Sequence, residues 1–389
     1  MTSAASERSD LVVEWRDGKR YLWLLGLIVP LLPLLAMLGY RGTGYEAFLW
    51  LGPFVVYVVI PLVDVAVGTD AENPPQSLLQ WLESDRYYRW CVYLYLPLQY
   101  VSLAWAAWLA STGTLSVAGY LGLALTTGVV AGIAINTAHE LGHKKEKAER
   151  WLSKIALAQT FYGHFYIEHN RGHHVRVATP QDPASSRLGE SFWRFLPRSV
   201  VGSVGSAWRL ERKRLTRRDG TVWTIRNDVL NAWLMSAVLW AALILAFGPS
   251  IVPFLVIQAV FGFSLLEVVN YIEHYGLGRR REHTGRYERV QPRHSWNSNN
   301  VATNLLLFHL QRHSDHHANP TRRYQALRHF DEAPQMPSGY AAMVTLAYFP
   351  PLWRRVMDKR VAAHYDGDLT QANVQPGWAA RYGVEVAAA

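Results

Sequence analysis

Two histidines four residues apart, with a glutamate beside the first, occur at His139-Glu140-Leu141-Gly142-His143. On a helix this spacing puts both imidazoles on one face, as in the H-E-x-x-H motif that holds zinc in metalloproteases with the glutamate as general base. Three further groups follow: EHNRGHH at 168–174, NYIEHYG at 270–276 and LQRHSDHH at 310–317. At about 100° per residue, His169 and His173 share a helical face, and His174 lies one step beyond His173. By the same arithmetic His316 and His317 straddle the direction of His313. Doublets of this kind feed two metal positions from one helix. Nine of the fifteen histidines (His139, His143, His169, His173, His174, His274, His313, His316 and His317) fall in these groups. A tetrahedral zinc takes three or four protein ligands. Nine imidazoles therefore describe two metal positions with four or five each. His309, four residues ahead of His313, is read as an additional polar residue on the same helix. His164, His283, His294, His329 and His364 lack the clustering and are read as ordinary.

The elements that must position these groups are apolar helices. Six stretches (22–40, 47–65, 91–110, 117–138, 229–247 and 251–271) approach the ~20 residues that span a bilayer, and none contains Lys or Arg. The chain reads as one all-α integral membrane domain, 1–389, with six transmembrane helices and a histidine-rich cytoplasmic cap formed by 139–228 and 272–370. HELGH continues the fourth stretch and NYIEHYG the sixth, so both would emerge at one edge of the bundle. Apart from Arg41, the basic residues lie in the N-terminal tail, 66–90, 139–228 and the segment after 271, which places both termini and the metal site in the cytoplasm. The 16 Trp and 20 Tyr suit membrane interfaces. Residues 151–166 and 340–353 are expected to lie along the interface, and residues 1–12 and those after about 370 to be loose. The net charge of +9 is read as a surface for anionic lipid or an acidic protein, not for nucleic acid. Cys91 is the only cysteine, which excludes disulfides and Cys-ligated clusters and leaves His and carboxylate to hold any metal.

NTAHELGHK (136–144), EHNRGHHVRVATPQDPASSR (168–187), NYIEHYGL (270–277) and LQRHSDHHANPTRRYQ (310–325) resemble the membrane alkane 1-monooxygenase (alkane ω-hydroxylase) family. The first, second and fourth motifs are shared in outline with membrane fatty acid desaturases and related hydroxylases, and NYIEHYGL with His274 favours the alkane branch. The resemblance runs from the first span to about residue 330. It implies a non-haem centre of two iron ions held by the nine histidines, O₂ as cosubstrate, and electrons from rubredoxin and its reductase. It also implies terminal hydroxylation of medium-chain n-alkanes to primary alcohols, a hydrocarbon-degrading reaction, in a bacterial inner membrane. HSWNSNN departs from the family at Asn299-Asn300, where a histidine is expected, but neither position is among the nine.

Such a substrate offers no charge or hydrogen bond, so burial, at ~0.8 kcal/mol per CH₂, and shape must position it. Val55 and Val56, in the run FVVYVV of the second span, are expected to line a channel down to the metal. Glu140, Asp315, Glu273, Asp182 and Glu168 are expected to accept the second ring N–H of ligand histidines. Asn270 and Glu267, one and two turns inward of His274, would orient ligands or carry protons. Arg279, Arg280, Arg281, Arg322 and Arg323 are read as docking an acidic electron donor, or as anchors to phospholipid. A fatty acid desaturase and an aromatic-methyl hydroxylase would use the same metal site. An intramembrane zinc protease has no use for three further histidine groups, and a metal transporter would need central polar residues, of which the spans contain few.

Overall fold

The computed structural model describes residues 15–217 and 220–384, and among these every regular element is a helix. Five helices are long and apolar enough to cross a membrane: α1 (Arg20–Thr43), α2 (Glu46–Val67), α5 (Val117–Gly142), α9 (Asp228–Phe247) and α10 (Pro249–His274). The expected span at 91–110 is not one helix. It is divided at Leu94 into α3 (Arg86–Tyr93) and α4 (Tyr95–Ser111). Pro97 explains the break, because it has no N–H for the Tyr93 carbonyl and its ring crowds that oxygen. The same chemistry shapes α2, where a wide π turn at Val55–Val59 precedes Pro61.

α5 is the central post. In its most apolar window 78% of residues are buried, against 22% for α9 and 28% for α2, which leave most of their surface for lipid. Lipid is as apolar as the helices, so close backbone approach has to hold them together. Gly132 shows this: a Cβ there would lie 2.8 Å from the Gly262 carbonyl oxygen of α10. At the end away from the histidines, the Glu46 carboxylate accepts from the Ser116 backbone N–H at 2.8 Å and from its hydroxyl, tying α2 to the N-cap of α5. At the histidine end the helices are clasped by ion pairs: Lys19–Asp70 and Arg20–Asp85, both at 2.5 Å, and Lys154–Asp228 at 2.6 Å.

α6 (Lys147–Ala158) turns back into the bundle instead of lying along the interface as expected: Gln99 of α4 donates to its Ala156 carbonyl at 3.2 Å, and Gln159, just past its end, donates to Gln258 of α10 at 3.0 Å. The remaining helices are a helical segment α7 (165–176), α8 (Phe192–Thr216), α11 (Val301–Leu306), α12 (His313–Ala318), α13 (Tyr340–Ala347) and α14 (Pro350–His364). The chain after 370 is not loose as expected. Asn373 accepts from Leu188 N–H at 2.7 Å and donates to the Gly276 carbonyl at 3.1 Å, so residues 370–384 complete the cap through isolated backbone bonds. Residues 1–12 lie outside the described residues.

Candidate metal centre

All nine clustered histidines converge. Their donor atoms form two groups, His139, His143, His169, His174 and His316 in one and His173, His274, His313 and His317 in the other, with the atoms of each group within 4.8 Å of one another. Five and four imidazoles are the division that the count implied. The membership differs from the simple helical reading. His169 pairs with His174, Nε2 to Nε2 3.0 Å, while His173 turns to the second group. The cause is a π turn at His169–His173, which widens the helix so that residues five apart come into line. Gly172 sits inside that turn because a Cβ would meet the Glu168 carboxylate and the Arg176 guanidinium within 2.5 Å. α12 serves both groups, sending His316 to the first and His313 and His317 to the second.

The donor set fits metal. An imidazole nitrogen stands ~2.0–2.1 Å from a bound ion, which separates neighbouring donors by about 3 Å and opposite donors by about 4 Å. Nε2 pairs lie in this range: His139–His316 2.7 Å, His174–His316 3.1 Å and His313–His317 2.9 Å. His143, His173 and His274 each bury an Nε2 with no hydrogen-bond partner, a costly arrangement that an ion would satisfy. Burial, reinforced by the neighbouring imidazoles, holds His169, His174, His313, His316 and His317 well below the ordinary histidine range, so they are neutral at pH 7, the form that binds metal. The same burial pushes the Glu168 carboxyl up to about 7, against the opposing pull of Ser206 and Arg176.

The acids around the site behave differently from one another. Asp182 Oδ2 accepts from His173 Nδ1 at 2.8 Å and is itself fixed by the Ser185 hydroxyl at 2.6 Å. Glu273 Oε2 lies 3.2 Å from His313 Nε2, the nitrogen that also faces His317, so it stands on the donor side of the ring. Glu140 and Asp315 touch no histidine. Glu140 pairs with Lys144 at 3.0 Å and accepts from Tyr324 N–H at 3.3 Å. Asp315 pairs with Arg322 at 2.6 Å and accepts from Asn319 and the Arg328 N–H. The expectation fails because a helical neighbour of a ligand points about 100° away from it. Glu168 likewise meets Arg176 at 2.5 Å, and Glu267 accepts from Tyr162 at 2.6 Å and from Asn270 at 3.3 Å. His309 is not on the helix of His313. It sits in a left-handed turn, its Nδ1 donating to the Tyr324 carbonyl at 2.9 Å and its ring packed on Trp23. Asn299 and Asn300 bond His329 and Ser298, away from both groups.

The basic residues also divide. Arg322 is held by Asp315, and Arg323 is buried against Glu149 at 2.9 Å, so both are internal struts, which overturns docking for these two. Arg279 donates to the Val175 carbonyl at 2.9 Å, next to His174. Arg280 and Arg281 are exposed.

An apolar cavity of about 60 Å³ lies within the bundle, walled by Val56, Ile133, Leu266, Val269, Leu307 and Val344, and its Asn136 stands one helical turn before His139. Asn136, Thr303 and Tyr340 are its polar edges. Val56 lines it, whereas Val55 packs into the neighbouring hydrophobic core and does not. Sequence reasoning missed Asn136, one turn before His139, and Thr303, whose N–H and hydroxyl bond Asp64 of α2. A lone polar residue ahead of a ligand motif was the available signal.

A bundle of apolar helices that delivers two buried imidazole groups to one end, with an apolar cavity behind them, defines a membrane-embedded histidine-rich metalloenzyme. The profile of the fatty acid desaturase family matches residues 113–347, a range containing all nine histidines. The alkane 1-monooxygenase of Acinetobacter baylyi is 48% identical over 363 residues, covering 92% of this chain and 89% of the relative. Alkane 1-monooxygenase 1 of Alcanivorax borkumensis is 48% identical over 361 residues, 93% and 89% of the two chains. The xylene/toluene monooxygenase hydroxylase component XylM of Pseudomonas putida is more distant, at 25% over 366 residues, 90% and 94%. The chain belongs to the alkane 1-monooxygenase family.

Proposed function

We propose that this chain converts medium-chain n-alkanes to primary alcohols, inserting one oxygen atom of O₂ at the terminal methyl, and that the nine histidines hold two iron ions. The observation that carries the reading is an apolar cavity inside the bundle, one helical turn from the ligand helix at Asn136, beside two groups of converging imidazoles: its walls offer a hydrocarbon shape and burial and no charge. Bound iron supplies the redox chemistry that an unactivated methyl demands and zinc lacks. The protein's own residues do the rest. Gly132 and Val56 leave the bore open, the flanking helices exclude water, and Asp182 sets the ring orientation and tautomer of His173. Among the described residues no Lys or Arg lines the cavity, which speaks against a free fatty acid as substrate. Glu140, committed to Lys144, is not placed as the base of a zinc protease. The test is a ladder of alkanes supplied to the purified protein in lipid nanodiscs with a reducing system, the products identified by mass, alongside metal analysis. Primary alcohols and about two irons per chain are expected; no oxidised alkane at any length would end the reading.

We place the protein in the bacterial inner membrane as one domain with six spans, α3 and α4 together supplying the third crossing. Two contacts support this: Asp85 at the head of α3 meets Arg20 at the histidine end, and Trp108 of α4 stacks under Arg41 near the opposite end. By the distribution of Lys and Arg, the histidine end and both termini face the cytoplasm. The sequence has no cysteine cluster and no nucleotide-binding glycine motif to supply electrons, so a separate donor, rubredoxin with its reductase, docks on that side. His143 and His174 are only half-buried, which brings the first histidine group closest to a visiting donor.

Two expected results test the details. Val56→Trp should suppress turnover of long alkanes at least tenfold while sparing short ones, because a filled bore excludes the distal end of the chain first; an equal loss at all lengths would show that Val56 does not limit chain length. Arg280→Gln with Arg281→Gln should raise the apparent KM for the donor several-fold and flatten its salt dependence. Unchanged donor kinetics from low to high salt would assign these side chains to phospholipid.

A further inference from the structure

A second apolar space lies beyond the cavity. It is a groove of about 750 Å³ on the membrane-facing side, between α10, α2, the start of α8 and the end of α13. Its rim is exposed at Val256, Val260, Trp193 and Phe349. The two spaces are consecutive along the same helices. On α10 the groove takes Val256 to Ser264, the inner cavity takes Leu265 to Val269, and Glu273 and His274 follow at the metal site. From Val256 to His274 this is about 27 Å of helix. On α13 the cavity takes Ala341 and Val344 and the groove takes Thr345, with Tyr348 just beyond. On α5 Leu125 faces the groove and Gly132 the cavity. On α2 the change occurs between adjacent residues, Val56 inside and Tyr57 outside.

At this junction Tyr57 and Tyr348 hydrogen-bond through their hydroxyls at 3.1 Å, with their rings edge to face. Tyr57 is the middle residue of the π turn in α2, a backbone form concentrated at functional sites, and Tyr348 is held to the rim by Trp193, whose indole N–H donates to its carbonyl at 3.1 Å. Two phenols in apolar surroundings satisfy each other when the pair is closed.

We propose that the groove is the port through which an alkane dissolved in the bilayer enters, and that the Tyr57–Tyr348 pair is the gate between port and cavity. This rests on the alkane reading above. The occupant is an n-alkane and not a lipid tail because the groove is followed along four helices, in the direction of the histidines, by a cavity of about 60 Å³ that has no room for a two-chain lipid.

The experiment has two arms, both on the full-length protein in nanodiscs with wild-type turnover established first. Ser264→Trp and Val260→Trp fill the groove without touching the cavity; each should lower kcat/KM at least tenfold for every chain length, with metal content unchanged. Wild-type kcat/KM in both variants would route the substrate elsewhere and overturn the proposal, whereas absence of alkane turnover in the wild type would instead overturn the function. For the second arm, which needs no variant to fold, a medium-chain alkane carrying a diazirine is photolysed with the wild-type protein and the adducts are mapped. Labelling of Phe261, Thr345 or Tyr348 that excess octane displaces is expected. Labelling there that octane does not displace, or none there at all, would show that the groove belongs to lipid tails and sink the port.

Discussion

Replacing His316 with alanine is expected to strip the first histidine group of its metal and to reduce alkane hydroxylation by more than a hundredfold. His316 Nε2 faces both His139 and His174, at 2.7 and 3.1 Å, so it is the residue through which α12 joins the donors of α5 and α7. Its loss removes one of five donors and also unties three elements, so the remaining four imidazoles lose their common centre. Iron per chain, measured after gel filtration, should fall by about half or more while the helical signal persists. His309→Ala is the contrast. It deletes a buried histidine of the same loop that bonds a carbonyl and packs on Trp23, so it should cost stability but leave the iron in place. Full iron and turnover in His316→Ala would remove that residue from the ligand set.

The second large effect is expected at a residue that touches no donor atom. Asp182→Ala should weaken iron retention by ~10–100-fold, the usual cost of losing the carboxylate behind a ligating histidine. The variant leaves His173 Nδ1 without its acceptor in a buried place, so the ring loses both its orientation and the tautomer that directs Nε2 toward the second group. Asp182→Asn keeps an acceptor and should fall between alanine and wild type. Asp315→Ala separates this from general damage, because Asp315 braces Arg322, Asn319 and Arg328 and no histidine. It should lower the thermal midpoint with a smaller change in retention. Dialysis against a chelator at fixed concentration reads all three, and equal iron loss from the Asp182 and Asp315 variants would refute a specific role for the Asp182–His173 bond.

The nine histidines were legible because clustering of one residue type at helical spacing is visible in a linear string, and five spans because long apolar runs are too. What stayed hidden has a common physical origin. The π turn at His169–His173 shifts the register by one residue, and no local composition announces it beyond Gly172. Glu140 and Asp315 stand next to ligands in sequence yet meet Lys144 and Arg322, while Asp182 reaches His173 from a loop nine residues on, since adjacency along a helix is divergence in space. The interruption at Leu94 was signalled by Pro97 and masked by the apolar run around it. The seating of residues 370–384 combines backbone bonds to Leu188 and Gly276 with long-range side-chain contacts, such as Tyr382 to Asp358 at 2.6 Å and Trp378 under Arg354, whose partners no local pattern in the sequence announces.

That α12 contributes to both histidine groups bears on how the protein is born. The ribosome delivers His139 first and His317 last, and at ~5–20 residues per second the interval of 178 positions (317 − 139) is about 9–36 s. Throughout that interval neither group has its full complement, since each waits for the same final helix. The first group already has four of its five imidazoles (His139, His143, His169 and His174) before α12 is made, whereas the second has only His173 and His274. The docking of one short late helix therefore completes both groups at once, after all the apolar helices have been made, and the second group owes half of its donors to it.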